Sequence, residues 1–142
     1  MRILFDTNVL LDALLSRQPF VSDATFLLKA VNAKKISGFL SATTATDIHY
    51  LVRKQTKSSK KATAAVVKLM KLLNVCLVDR EILEQAVALA GTDFEDDVQL
   101  ACALLYGLDT IVTRDKAGFS ASSVSIMSPA TLKKVLIDRT ED

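Results

Sequence analysis

Four aspartates stand where an alternating strand–helix chain would bring its loops together. Asp6 directly follows the apolar run 2–5, and Asp115 directly follows residues 111–114, whose first three are Ile111-Val112-Thr113. Asp96 falls in the first turn of a helical segment beginning near Thr92, and Asp47 about one turn into a helical segment that starts at Ser41 or Thr43. Clustered carboxylates repel one another, so such a group usually needs a cation to hold it together. Ligation by oxygen alone points to Mg²⁺ or Mn²⁺. Such an ion lowers the pKa of a bound water and neutralises the charge that builds on a phosphoryl group during in-line displacement. Phosphodiester hydrolysis is the sharp reading of these residues. A zinc site built from Cys and His is not expected, because the chain has one His and two Cys, Cys76 and Cys102, with no C-x-x-C pair.

Each acid also has a plainer reading. Asp6 suits a helix cap, Asp115 a turn in Asp115-Lys116-Ala117-Gly118, and Asp96 the positive end of a helix dipole. Asp47 is the hardest to explain this way. It is isolated among basic residues and sits inside a helix, which Asp does not favour. The charge around it is strongly one-sided: residues 29–71 carry ten basic residues against Asp47 alone, whereas residues 79–115 carry nine acidic against Arg80 and Arg114. The basic segment can attract a polyanion and the acidic one divalent cations, although solvated helix faces of opposite sign would read the same way.

The elements that must position these groups follow from hydrophobic spacing and caps. Residues 2–5 read as a buried strand, and a helix capped by one of Asp6, Thr7 or Asn8 continues through residue 15. Ser22 or Asp23 is expected to cap a second helix to about residue 31, followed by a strand over 36–40 and a helix to about residue 53 with Ala45, Ile48, Leu51 and Val52 inward. The lysine-rich stretch 55–61 is the best candidate for a mobile loop. Helical spacing resumes over 60–73, with Ala64, Val67, Leu69, Met70 and Leu73 as its apolar positions, and 75–78 is strand-like. A helix over 79–90 closed by Gly91 is expected next, then one opened by the capping box Thr92-x-x-Glu95 and running to Tyr106 with Gly107 as its C-cap. Strands over 109–113 and 123–127 and a helix from Pro129 to about residue 137 complete the chain. Strands separated by helices imply an α/β fold with a parallel sheet covered on both faces. In such sheets ligands bind outside the carboxyl ends of the strands, the edge to which Asp6 and Asp115 both belong.

With 142 residues, 50% hydrophobic and 24% charged, the chain is expected to form a single domain over 1–142 and can build a full core without disulfides. The cysteines then read as small core residues in a reducing cytoplasm. The longest apolar-leaning stretch, 98–108, is too short for a membrane span, and Asp6 interrupts the N-terminus before a signal segment can form. A cytoplasmic protein without a membrane partner is expected.

Taken together, the motifs are recognisable. The chain resembles the PIN-domain proteins of the VapC-like toxin group through Ile3-Leu4-Phe5-Asp6-Thr7-Asn8-Val9-Leu10-Leu11-Asp12, then Asp93-Phe94-Glu95-Asp96-Asp97-Val98-Gln99-Leu100-Ala101, then Ile111-Val112-Thr113-Arg114-Asp115-Lys116-Ala117-Gly118-Phe119. The order of hydrophobic-D-T-N, an acid-led Ala-rich helix and T-R-D-x-x-x-F is specific, whereas D-T-N alone is not. The resemblance implies an αβα sandwich around a parallel sheet and a metal-dependent ribonuclease, the toxin of a type II toxin–antitoxin pair. It assigns Asp6, Asp96 and Asp115 to the metal, and Asn8 and Thr113 to orienting those carboxylates or a water. Many members carry Glu in the helix after the second strand; here the nearest acid is Asp47, one methylene shorter, acting directly, through water or not at all. The D-x-x-x-x-A register onto Ala101 selects Asp96 over Asp97, which points about 100° away on a helix and is held in reserve. Implied partners are RNA, a cognate antitoxin and a second copy of the chain.

On this reading Arg53, Lys54, Lys57, Lys60 and Lys61 steer an RNA backbone, each neutralised phosphate adding about 0.7 to the salt slope for a single strand. Aromatics are few, so recognition by base stacking looks limited. His49, two positions from Asp47, falls off that residue's helical face and is not a catalytic choice. The competing reading is a catalytically weak or inactive module of the same fold that binds RNA or protein. A phospho-accepting signalling domain would want an acidic pair after the first strand, where Thr7-Asn8 follows Asp6 instead.

Overall fold

The computed structural model describes residues 1–119 and 123–141. Five strands, β1 (Arg2–Phe5), β2 (Ser37–Ser41), β3 (Asn74–Cys76), β4 (Thr110–Val112) and β5 (Ser125–Met127), form one sheet in the order β3-β2-β1-β4-β5. Every pairing is parallel, with Ile3 set beside Gly38 on one side and Thr110 on the other. The helices are α1 (Thr7–Leu14), α2 (Val21–Asn32), α3 (Ala42–Thr56), α4 (Ser59–Leu72), α5 (Arg80–Leu89), α6 (Phe94–Leu105) and α7 (Pro129–Glu141). A 3₁₀ turn spans Lys116–Phe119.

Alternation along β1 divides the core in two. Ile3 and Phe5 pack with residues of α1, α2, α3, α4 and α7, including Leu11, Leu27, Ile48, Leu69 and Leu132. Leu4 packs on the other face with Ile82 and Ala86 of α5 and Val98, Ala101 and Cys102 of α6. The result is the αβα sandwich that the alternating elements imply. Cys76 and Cys102 are both buried free thiols in the second core. Among the described residues no helix is long and apolar enough to cross a membrane.

Several local expectations are corrected. The stretch 55–61 is not a loop: α3 runs to Thr56, Lys57 takes a left-handed conformation, and Ser58 caps α4 by accepting from Lys61 N at 3.1 Å. Lysine is a good helix former, so a polar, lysine-rich stretch need not be irregular. On α4 the buried positions are Ala62 and Leu69, while Val67 and Met70 face outward. Neither Ser22 nor Asp23 caps α2, because the backbone already turns helical at Val21. The left-handed residue ending α5 is Ala90, not Gly91. Gly91 is needed for close approach instead, since a Cβ there would collide with the Asp97 carboxylate. The cap of α6 is Asp93, accepting from Asp96 N at 3.1 Å, not Thr92. Tyr106 is the C-cap of α6, and Gly107 follows it with φ 63°.

Candidate functional site

The strand order creates a switch point. From β1 the chain moves outward to β2 and β3, then crosses back to place β4 on the opposite side of β1. Loops after β1 and β4 therefore diverge, leaving a crevice at the carboxyl edge of the sheet. Asp6 stands at its base as the N-cap of α1, its Oδ1 accepting from Thr7 N at 2.7 Å. The same oxygen accepts from Gln99 Nε2 at 3.0 Å, and Oδ2 accepts from Thr113 Oγ1 at 2.7 Å. The cap reading and the site reading thus describe one side chain. Thr113 Oγ1 also accepts from Asp115 N at 3.0 Å, so a single hydroxyl links the acids after β1 and β4.

From α6, Asp96 reaches the same crevice. A Cβ built on Gly118 would lie 2.5 Å from Asp96 Oδ2 and 3.3 Å from Asp115 Oδ2, so these two carboxylates converge on a position that only glycine leaves open. Asp47, one turn into α3, forms the opposite wall. A cavity of about 420 Å³ is lined by Asp6, Asn8, Asp47, Asp96 and Asp115 together. Asp97 is turned away and buried, accepting from Gly91 N at 2.9 Å. Thr113 lies behind Asp6 and does not line the cavity.

Crowding these acids has an electrostatic consequence. Burial, then the charges of Asp93, Asp6, Asp115 and Asp97, push the Asp96 carboxyl up to about 7. The Asp47 charge, followed by burial and by Asp93 and Asp6, raises Glu95 above the usual carboxylate range. Burial raises Asp47 itself.

Among the described residues no three Asp, Glu, His or Cys side chains close on one point as they lie. The donor set nevertheless fits a hydrated divalent cation, because Mg²⁺ is ordinarily held by one or two carboxylates and keeps several waters. Asp96 and Asp115, converging beside Gly118, form such a pair, with Asp6 below them. Nearby, the buried Oε1 of Gln99 has no hydrogen-bond partner among the described residues. An orphaned acceptor beside an acid cluster is where an ion or its water would be accommodated.

The basic residues read as an RNA contact sit elsewhere. Arg53 and Lys54 lie near the end of α3, Lys57 at the turn, and Lys60 and Lys61 at the start of α4; all are exposed and none lines the cavity. His49 Nε2 lies 3.1 Å from Thr63 Oγ1 and bridges α3 to α4.

Other contributors escaped the sequence reading. Glu95, Gln99 and Tyr50 line the cavity. Gln99 lies three positions after Asp96, a spacing that shares a helix face and was the available signal. Arg114, between Thr113 and Asp115, donates from Nε to Asp12 Oδ2 at 2.7 Å and from Nη2 to Oδ1 at 3.2 Å. Its guanidinium also lies 4.0 Å from the ring centroid of Phe20. Asp12 is fully buried, so this pair ties the loop carrying Asp115 to the helix headed by Asp6.

A PIN domain family model matches residues 2–117. A chain of a toxin–antitoxin complex from Klebsiella pneumoniae is 25% identical, with a TM-score of 0.66 over 89% of this chain and 97% of that one. A chain of FitAcB from Neisseria gonorrhoeae is 20% identical, with a TM-score of 0.64 over 90% and 98% of the two chains. Mycobacterium tuberculosis VapC20, a Sarcin-Ricin loop cleaving toxin, is 17% identical, with a TM-score of 0.67 over 84% and 94%. No curated protein matches the chain.

Proposed function

The chain belongs to the PIN-domain family, and from that premise we propose that it is a metal-dependent endoribonuclease and the toxin of a type II toxin–antitoxin pair. The observation that carries this reading is the convergence of Asp6, Asp47, Asp96 and Asp115 from four separate elements on one cavity. Asp6, Asp96 and Asp115 would hold Mg²⁺ or Mn²⁺ there, and the ion would supply an activated water and neutralise charge on the phosphoryl group. The protein's part is to hold these carboxylates ready. Thr113 and Gln99 fix both oxygens of Asp6, and the Thr113 hydroxyl fixes the Asp115 backbone. Asn8, on the cavity wall, orients a carboxylate or a water. Asp47, on the cavity wall, assists from α3 directly or through water. Arg53, Lys54, Lys57, Lys60 and Lys61 draw the RNA backbone toward the acids, which alone would repel it.

The relatives support the partner assignment. The Klebsiella structure is a toxin–antitoxin complex, and a cognate antitoxin that covers the acid cluster with a basic side chain is the corresponding partner here. A homodimer acting in the cytoplasm completes the proposal.

Cleavage of structured and single-stranded RNAs with Mg²⁺, Mn²⁺ or EDTA, by the chain and its Asp6→Asn variant, tests it. Metal-dependent cleavage that falls at least about a hundredfold in Asp6→Asn is expected, the size of effect typical for loss of a key electrostatic group. Equal cleavage by both proteins, or none by either, would contradict it.

A further inference from the structure

Tyr50 is 55% exposed and lines the acidic cavity beside Asp47 and Leu51. Among the described residues its hydroxyl has no hydrogen-bond partner. The other tyrosine is used internally, Tyr106 Oη accepting from Leu77 N at 2.8 Å. With about half of its surface in water and its hydroxyl unpaired among the described residues, the Tyr50 ring is available to a molecule with a flat face that enters the cavity.

Its neighbours indicate which ligand. Residues three and four apart share a helix face, and Arg53 and Lys54 follow Tyr50 at those spacings. Both are exposed and in no ion pair among the described residues. Asp47 precedes Tyr50 by three positions. Along about 10 Å of α3, at 1.5 Å per residue, the order is therefore carboxylate, ring, cations. Single-stranded nucleic acids are bound by this combination of a cationic track and an aromatic on which a base stacks.

We infer that Tyr50 is a stacking platform for a nucleobase beside the scissile phosphate, with Arg53 and Lys54 on the adjoining backbone. The inference rests on the nuclease reading and adds a positioning residue to it. Every base presents a π face, so Tyr50 holds the strand in place more than it selects sequence. Low aromatic content does not argue against such a role, because one ring at the cavity wall suffices. A protein partner would also cover an exposed ring, but the cations following it favour a polyanion.

The chain has no Trp and two Tyr, so tyrosine emission can be read site by site. Tyr106→Phe leaves Tyr50 as the sole fluorophore, and Tyr50→Phe leaves Tyr106. Each is titrated, in an Asp6→Asn background that suppresses turnover and with Mg²⁺ present, with a short single-stranded RNA and with an abasic strand of equal length. Quenching of Tyr50 by the RNA but not by the abasic strand, with Tyr106 unchanged, is expected. Tyr50→Ala is expected to weaken RNA binding about 5- to 100-fold at an unchanged melting temperature, whereas Tyr50→Phe retains it. Full affinity in Tyr50→Ala, or equal quenching by the abasic strand, would overturn the inference while leaving the nuclease reading intact. RNA that binds none of the versions would overturn both.

Discussion

Asp96 carries most of the electrostatic tension in the cluster. Its folded-state pKa of about 7 lies above the ordinary 3.8, because burial and four neighbouring acids oppose its charge. Between those values the folded, cation-free chain holds a proton that the unfolded chain has released. Stability from this group is thus lost as pH rises from about 4 to about 7. Asp96→Asn is expected to raise the melting temperature of the EDTA-treated protein at pH 8 by about 2–4 °C, a modest figure because solvent screens a partly exposed group. A melting temperature at pH 8 unchanged or lowered by the substitution would contradict this. A divalent cation should recover the same stability in the unsubstituted chain by favouring the ionised form. The residue types and order of Asp6, Asp96 and Asp115 were legible from the sequence, and so was the choice of Asp96 over Asp97 as the residue lining the cavity. Tyr50 was not, because a tyrosine in a basic helix carries no chemical signature until the tertiary structure shows what it faces, and Gln99 was marked only by its spacing from Asp96.

At the scale of elements, the T-R-D segment is held from three sides. Thr113 bonds Asp6, Asp115 turns to the cavity, and Arg114 reaches back to Asp12 on α1. The Asp12 side chain is fully buried, so removing its partner leaves an uncompensated charge in the interior. Arg114→Ala is expected to cost about 3–5 kcal/mol, read from the urea midpoint. A loss below about 1 kcal/mol would mean that Arg17, at 3.9 Å, or water already satisfies Asp12. Arg114 therefore stabilises the loop and is not one of the cations available to RNA. Sequence spacing could not reveal this pair, since Asp12 and Arg114 are brought together only by the β1–β4 pairing. Element identities were legible where period and caps agreed, as in β1 and in α3 with its Ser41 cap. They failed at 55–61, where polarity suggested a loop but the left-handed Lys57 and the Ser58 cap join two helices directly.

Across the whole molecule, the sheet order converts a charge division along the sequence into a division in space. The parallel order β3-β2-β1-β4-β5 opens its crevice between β1 and β4, where acids from distant parts of the chain meet. The basic α3–α4 hairpin stands beside that opening through α3, which contributes Asp47 and Tyr50 to the cavity wall and carries Arg53 and Lys54 beyond it. Fold class and sheet edge were readable from strand–helix alternation. The meeting of the four carboxylates at that edge was expected from their places after strands and early in helices, whereas the bonds that hold Asp6 to Gln99 and Thr113 were not, since they depend on tertiary packing. Whether these carboxylates make one cation site is decided by titrating the metal-free protein with Mn²⁺ by calorimetry. Saturable binding is expected, displaced by Mg²⁺ and weakened about 10- to 100-fold or more in Asp96→Asn and in Asp115→Asn, with both variants folded. No binding by the unsubstituted chain, or an affinity in both variants equal to that of the unsubstituted chain, would contradict it.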